Sequence, residues 1–273
     1  MIENQRPAFS SYMTHLLSTG RVVFLRDEAH QALGVSHGAL LDAAERQQRK
    51  QRLLNPRRGF YVIVPPQYLA WGAPPPSWYI DDLMRHEGHA YYVGLLKAAE
   101  LHGATHQAVM EFQVITDLRL PKIRAGRSAI AFYYRKNMAA VGEGIEDRQT
   151  DTGRMRISSV ELTMLDLIRY PRAAGGLDNV ATIIADLSDR IDPDKLAALS
   201  ATFERSVSQR LGYLLERGGD SHCSKSLHKA LFSKKLALPW IELEPKQADP
   251  GFSPQERNER WHVIVRRSLE VDE

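Results

Sequence analysis

Cysteine is almost missing from this chain: Cys223 is the only one among 273 residues, so no disulfide can form within it. Such a composition suits a reducing compartment. No apolar run approaches the roughly 18 residues that a membrane span requires, and no basic stretch followed by an apolar segment opens the sequence. We therefore expect a soluble, cytoplasmic protein in which Cys223 is an incidental residue at the start of a helix.

The motifs of common catalytic and nucleotide-binding sites are missing as well, namely G-x-S-x-G, the P-loop and G-x-G-x-x-G. The segment His86-Glu87-Gly88-His89 is one residue shorter than the H-E-x-x-H zinc motif, so its histidines would not share a helix face. Gly103 separates His102 from His106 and interrupts the helix that would align them. We predict a protein that is not an enzyme, with no catalytic residue, no cofactor and no metal site.

The net charge of +3 is unevenly distributed along the chain. Up to Pro76 there are nine Lys and Arg against five Asp and Glu, whereas the remainder has 27 against 28. The change coincides with Gly72-Ala73-Pro74-Pro75-Pro76, where proline removes the backbone donors that a continuous element needs. We predict two domains, 1–76 and 77–273, with nucleic-acid binding in the basic first domain.

The first domain contains the pattern of a helix-turn-helix. Arg26 to Leu33 can form two helical turns, Gly34-Val35-Ser36 supplies a break, and His37 to Lys50 restarts as helix. Gly34 suits the left-handed conformation that ends a helix, and Ser36 is a favoured N-cap. In such a corner the start of the second helix faces the major groove of DNA. The residues predicted to face the bases are Ser36, His37, Gly38 and Leu41.

A basic hairpin is predicted directly after the second helix. Arg52 to Leu54 and Phe60 to Val64 have β-propensity and flank Asn55 to Gly59, a turn cluster with two arginines at its tip. No acidic residue occurs between Arg46 and Arg58, which is typical of a phosphate-facing surface. The predicted phosphate contacts are Arg46, Arg49, Lys50, Arg52, Arg57 and Arg58.

Two acidic residues on the second helix oppose this interpretation. Asp42 and Glu45 would repel phosphates, unless one of them accepts a hydrogen bond from a cytosine amino group.

The second domain is predicted to be a mixed α+β scaffold. Helical spacing covers Ser77 to Arg85 and Val93 to His102, and strand-like segments cover Glu111 to Thr116 and Ala129 to Tyr134. Gly142 to Asp147 has the composition of a surface loop. The predicted fold class is α+β, an N-terminal winged helix-turn-helix followed by a larger mixed α+β domain.

Farther along, helices alternate with short β-like segments. Ser158 to Glu161 has the form of a capping box before a helix that ends near Pro171. Further helices are predicted over 179–187, 197–216 and 227–231, and β-like segments over 155–157, 239–243 and 261–265.

Several of these segments also carry a family resemblance. They are Arg57 to Pro66, Gly72 to Pro75, Tyr91 to Leu96, Leu101 to Ala104, Phe112 to Val114 and Ser159 to Pro171. In them the chain resembles the AbiEi family, the antitoxins of type IV toxin–antitoxin (abortive infection) systems. The resemblance departs at Gln47 and Gln51, where similar proteins tend to have an apolar residue and a glycine.

The resemblance implies a function for each domain. The winged helix-turn-helix would repress its own toxin–antitoxin operon by binding inverted repeats in the promoter. The C-terminal domain would counter a nucleotidyltransferase-like toxin without necessarily forming a stable complex with it.

Two other functions are compatible with the sequence. One is a regulator whose second domain responds to a ligand or another protein, with no toxin partner. The other is an enzyme, such as a nuclease or transferase, that uses DNA binding for targeting.

Overall fold

The computed structural model describes residues 8–104, 109–232, 237–244 and 255–270. The α-helices are α1 Phe9–Ser18, α2 Arg26–Leu33, α3 His37–Arg49, α4 Ile80–Glu87, α5 Leu95–Leu101, α6 Val160–Arg169, α7 Leu177–Leu187, α8 Pro193–Ser200, α9 Arg205–Arg217 and α10 Ser221–Phe232. The strands are β1 Val23–Leu25, β2 Leu53–Arg57, β3 Phe60–Ile63, β4 Tyr91–Val93, β5 Glu111–Thr116, β6 Ile123–Ala125, β7 Ser128–Tyr134, β8 Ile145–Thr150, β9 Gly153–Ser158, β10 Ile241–Glu242, β11 Glu256–Asn258 and β12 Val263–Val265. Short 3-10 helices cover Pro66–Tyr68, Pro76–Trp78, Ala139–Gly144 and Ser188–Arg190.

The strands form three sheets. The first has the order β1-β3-β2 and is antiparallel, with Phe24 opposite Tyr61. The second, mixed sheet has the order β6-β7-β5-β4-β9-β8, in which β5 runs parallel to β7 from Glu111–Ala129 to Thr116–Tyr134. The third has the order β10-β12-β11. Helices and mixed sheets together confirm the predicted α+β class.

Contacts divide the chain into two compact units. The first comprises Met1–Tyr91, Met110–Lys136 and Asp147–Arg156, and the second comprises Tyr92–Val109, Asn137–Glu146 and Ile157–Glu273. This division differs from a single cut after residue 76, so a separate domain over 1–76 stays a prediction.

In the first unit, helices α1 to α3 and the first sheet enclose an aromatic core. Phe24 stacks on Tyr61 with ring centroids 5.2 Å apart, and Tyr12 meets Phe24 edge-on at 5.5 Å. The α2–α3 corner adds Leu33 and Leu40 to this core. The order α1-β1-α2-α3-β2-β3 is the element order of a winged helix, although the sequence pattern alone did not predict α1 or β1.

In the second unit, helix α6 is the central element. Every residue from Glu161 to Ile168 is buried, because α7, α8 and α9 all pack against this helix. Trp261 is fully buried beside Gly212 of α9. Burial on all sides explains why α6 is apolar around most of its circumference.

The cap of α6 differs from the prediction. Ser159 is the N-cap and accepts a hydrogen bond from the Leu162 N–H, but its hydroxyl also donates to Glu161 at 2.7 Å. The other oxygen of Glu161 accepts from the Asp192 N–H at 2.9 Å. The glutamate therefore connects α6 to the start of α8 instead of completing a capping box.

Several predicted bounds of helices and loops were wrong between residues 76 and 150. The region 77–85 begins with the 3-10 helix Pro76–Trp78 and becomes α-helical only at Ile80, and Val93 belongs to β4 instead of a helix. The predicted loop at 142–147 continues into β8, whose polar sequence reflects its place at the edge of the sheet.

The predicted helix over 197–216 is two helices, α8 and α9. The break contains no glycine or proline, so no local signal marked it. The hydroxyls of Ser200 and Thr202 bond to the carbonyls of Ala197 and Leu199, which provides an alternative to continued helical hydrogen bonding.

Candidate nucleic-acid interface

The helix-turn-helix corner forms where the sequence predicted it. Helix α2 ends at Gly34, whose φ of 60° is left-handed, and α3 starts after Ser36. The Ser36 hydroxyl accepts a hydrogen bond from the Ala39 N–H at 3.3 Å. Val35 packs against the core between the two helices. Local chain chemistry thus sets the direction in which α3 leaves the corner.

Helix α3 buries one narrow face and exposes the rest. Leu40 and Ala44 are buried, whereas the side of the helix that carries Leu41 is open and Leu41 itself is 46% exposed. His37 is exposed at the start of the helix and stacks on His30 with ring centroids 4.1 Å apart. The predicted base-facing residues Ser36, His37, Gly38 and Leu41 are therefore all accessible in the first unit.

The cations of α3 fall into two groups. Arg46 and Lys50 are exposed, and neither has an ion-pair partner in the described part of the chain. Arg49 donates to Glu45 at 2.6 Å, and both side chains stay exposed. Glu45, predicted to oppose phosphate binding, is thus balanced by Arg49, while Asp42 remains an exposed carboxylate.

The hairpin after α3 is longer and tighter than the sequence predicted. Strand β2 continues to Arg57, which pairs with Phe60, so the connecting turn consists of Arg58 and Gly59 only. A bulge between Leu54 and Arg57 accommodates Pro56, which lacks the donor that a regular ladder needs. Only one arginine, Arg58, lies at the tip; placing Arg57 there was wrong.

The Asn55 amide supports this shape. Its Nδ2 donates to the carbonyls of Arg57 at 2.8 Å and Phe60 at 2.9 Å. These hydrogen bonds tie the Asn55 side chain to both residues of the pair that closes the hairpin. Arg52, by contrast, is exposed in the segment between α3 and β2, two residues after Lys50.

Arg57 makes contacts inside the first unit. Its Nε lies 3.0 Å from the Glu87 carboxylate, its Nη2 donates to the Pro121 carbonyl at 2.9 Å, and its guanidinium lies over the Phe132 ring at 5.8 Å. The side chain is 19% exposed and that of Glu87 is 18% exposed. Arg57 therefore holds the hairpin against neighbouring elements.

Arg58 has the opposite environment. Its side chain is exposed and makes no ion pair among the residues that the structure describes. Its backbone carbonyl contacts His86 Nε2 at 3.2 Å, and Phe60 packs against the His86 ring. The backbone of the turn is anchored while the Arg58 guanidinium remains accessible.

Among the residues that the structure describes, the candidate chemical motifs do not come together in a site. Gly88 is the left-handed C-cap of α4, which separates His86 from His89, and the described residues contain no cluster of three metal-ligating side chains. His106 lies outside the described residues. Cys223 is buried near the start of α10, and burial together with Asp220 raises the pKa of its thiol to about 12.

Sequence reasoning missed the partners that decide which arginines are free. Glu87 lies thirty residues after Arg57, and only the long-range fold brings them together. The partner of Arg49 could have been found from the sequence, because Glu45 lies four residues earlier on the same helix.

Known proteins resemble this chain at two levels, the overall fold and one family domain. The chain superposes on a solved structure, the crystal structure of RV2827C protein from Mycobacterium tuberculosis, with a TM-score of 0.70 and 16% identity over 96% of this chain and 91% of that one. This similarity concerns the fold alone. No curated protein matches the chain.

A family model provides the second level. Residues 92–217 match the model described as AbiEi antitoxin C-terminal domain. None of the helices in the described ranges has the length and hydropathy needed to cross a membrane. The match confirms the family resemblance and supports an antitoxin role. Over residues 92–217, the chain is therefore similar to the C-terminal domain of AbiEi antitoxins.

Proposed function

We propose that this protein is a DNA-binding autorepressor and antitoxin of a type IV toxin–antitoxin system. One observation supports the DNA-binding part most directly: α3 and the hairpin segment that follows it carry four exposed cations that have no ion-pair partner among the described residues. They are Arg46, Lys50, Arg52 and Arg58.

The proposed complex places α3 in the major groove. His37, Gly38 and Leu41 would face base edges, with Leu41 able to contact a thymine methyl group. Arg46 and Lys50 lie one helical turn apart and would contact phosphates along one strand. Arg58, at the tip of the hairpin, would reach the backbone beside the groove.

The antitoxin part depends on the family domain. The partner would be a nucleotidyltransferase-like toxin encoded in the same operon, and inverted repeats in the promoter of that operon would be the binding site. Both activities belong in the cytoplasm, where the promoter and the toxin are found. Neutralisation of the toxin need not involve a stable complex.

A salt titration tests DNA binding. The full chain and an Arg46→Gln/Lys50→Gln variant would be titrated against a promoter fragment by fluorescence anisotropy at several salt concentrations. Loss of two phosphate contacts should lower the slope of log K against log salt by about 1.8. Arg85→Gln/Arg154→Gln removes the same charge from exposed positions outside α3 and the hairpin, and should leave the slope unchanged. Equal slopes for all three proteins would contradict the assignment.

A growth assay tests the antitoxin part separately. Expression of the neighbouring toxin gene should stop growth, and co-expression of the full chain should restore it. The Arg46→Gln/Lys50→Gln variant should restore growth equally well when expressed from an unrelated promoter, but should fail to repress a reporter under the native promoter. If the wild-type chain gives no protection, the antitoxin assignment is wrong.

A further inference from the structure

A cavity of about 510 Å³ lies inside the second unit, in a part of the chain that the DNA-binding proposal does not use. It is bordered by the end of α6, the start of α7, the first half of α9 and the residues that follow β10. Its apolar lining includes Ile168, Leu177, Val207 and Leu243. This volume lies within the range of small-molecule sites, roughly 300–1,000 Å³.

Arg210 is one of the charged residues in this lining. Its Nε and Nη2 donate to the backbone carbonyls of Glu242 and Leu243 at 3.0–3.1 Å, which holds the guanidinium in place. Its Nη1 has no partner within the described ranges, and no carboxylate there forms an ion pair with it. Burial lowers the pKa of Arg210, because partial removal from water penalises its charged form.

The carboxylates that border the cavity are neutralised by other arginines. Glu204 accepts from Arg169 at 2.8 Å, and Glu244 accepts from Arg267 at 2.7 Å. Arg172 adds an exposed cation at the rim. The lining therefore has an excess of positive charge, which Arg172 and Arg210 carry.

Two helix N-termini add to the positive potential. The cavity lining includes Gly176 and Leu177 at the start of α7, and Glu204 and Ser206 at the start of α9. Neither helix has a side-chain hydrogen bond at its N-cap. The helix dipole favours an anion at such positions, and the carboxylates already present there, Asp178 and Glu204, are paired with Arg267 and Arg169.

We propose that this cavity binds a small organic anion: an apolar or aromatic body against Ile168, Leu177 and Val207, with a carboxylate or phosphate group on the Arg210 guanidinium. The fixed guanidinium offers the fork of donors that these groups accept. A neutral molecule of the same shape would leave the Arg210 charge uncompensated.

Calorimetric titration of the full chain with three probes tests the proposal. The probes are 2-naphthoate, 2-naphthyl phosphate and the neutral 2-naphthalenemethanol. We expect one binding site for at least one of the anions. The neutral probe should bind at least about tenfold more weakly, because one charge-assisted hydrogen bond corresponds to about that factor in affinity. The stronger anion identifies the acidic group that the cavity prefers.

Two variants locate the binding site. Arg210→Gln should weaken the binding of the anions about tenfold and leave the neutral probe unchanged. The phenylalanine of Ser206→Phe would occupy the cavity and should weaken the binding of all three probes. This variant keeps the test valid if Arg210→Gln does not fold. Arg260→Gln, an arginine of the same unit outside the cavity lining, should change nothing. Circular dichroism of each variant would verify folding.

Clear results would overturn the proposal. The first is the absence of saturable binding by either anion up to about 1 mM, a concentration that corresponds to a binding free energy of only about −4 kcal/mol. The second is equal affinity for the neutral probe and the anions. The third is unchanged binding of the anions by folded Arg210→Gln and folded Ser206→Phe.

Discussion

Arg57 Nε lies 3.0 Å from the Glu87 carboxylate, and this ion pair joins the turn end of the β2–β3 hairpin to the last turn of α4. Both side chains are less than one-fifth exposed. The next residue, Arg58, is exposed at the turn. Two adjacent arginines with the same predicted role therefore have different environments, and substitutions can separate their functions.

Single alanine substitutions should affect different properties at these two positions. Arg58→Ala should lower the slope of log K against log salt for promoter DNA by about 0.9 without changing the melting temperature. Arg57→Ala should reduce the free energy of unfolding by about 2 kcal/mol, because Glu87 would keep a half-buried charge without its partner. Urea unfolding and anisotropy on the same samples would measure both effects.

The double substitution Arg57→Ala/Glu87→Ala provides the control. Removing both charges should recover part of the stability that Arg57→Ala loses. If Arg57→Ala reduced the salt slope as much as Arg58→Ala at unchanged stability, the structural role of Arg57 would be refuted.

Gln51 has a φ of 56°, which side-chain-bearing residues rarely adopt, at the point where α3 leads into β2. Glycine has no Cβ to strain this conformation, so Gln51→Gly should raise the free energy of unfolding by about 0.5–1 kcal/mol. Gln48→Gly, an exposed position inside α3, should lower it by about 1 kcal/mol. Chemical unfolding would show opposite signs; a loss of stability at both positions would contradict the strain argument.

Gly212 in α9 leaves room for the indole of Trp261. A Cβ at this position would lie 2.1 Å from the nearest ring carbon, and Trp261 is fully buried. Gly212→Ala should therefore destabilise the protein by about 3 kcal/mol, although alanine normally favours a helix. Gly38→Ala is the matched control, because a Cβ there meets no atom within 4 Å, and it should be neutral or stabilise by up to about 1 kcal/mol. Equal effects would disprove the close packing of Trp261.

Asp178 binds both Nη atoms of Arg267 at 2.6–2.7 Å, and these hydrogen bonds lower the pKa of its carboxyl. A carboxylate with a lowered folded-state pKa contributes stability above its unfolded pKa of about 4, and this contribution is lost as the pH falls through the folded value. Asp178→Asn should thus be less stable than wild type at pH 6, with the difference shrinking towards pH 2. Asp189→Asn, an exposed carboxylate without an ion-pair partner in the described ranges, should match wild type throughout. A constant difference would contradict the linkage.

Local signals allowed the helix-turn-helix corner and strand β5 to be predicted with nearly correct bounds. Gly34 and Ser36 act on their own helices within a few residues, and Glu111 to Thr116 is a continuous β-forming run. Strand β1 was missed because its three residues pair with β3, almost forty positions later. The break between α8 and α9 was missed because no glycine or proline marks it.

The amino-acid sequence by itself determined the positive charge of the N-terminal region, the corner that presents α3, and the family of the C-terminal domain. Tertiary structure decided which cations are available, since Glu87 neutralises Arg57 while Arg58 stays exposed. It also created the cavity around Arg210 from segments up to 76 residues apart, between Ile168 and Glu244. Electrostatic pairing and packing depend on distances in space, and residues far apart in the chain acquire those distances only when it folds.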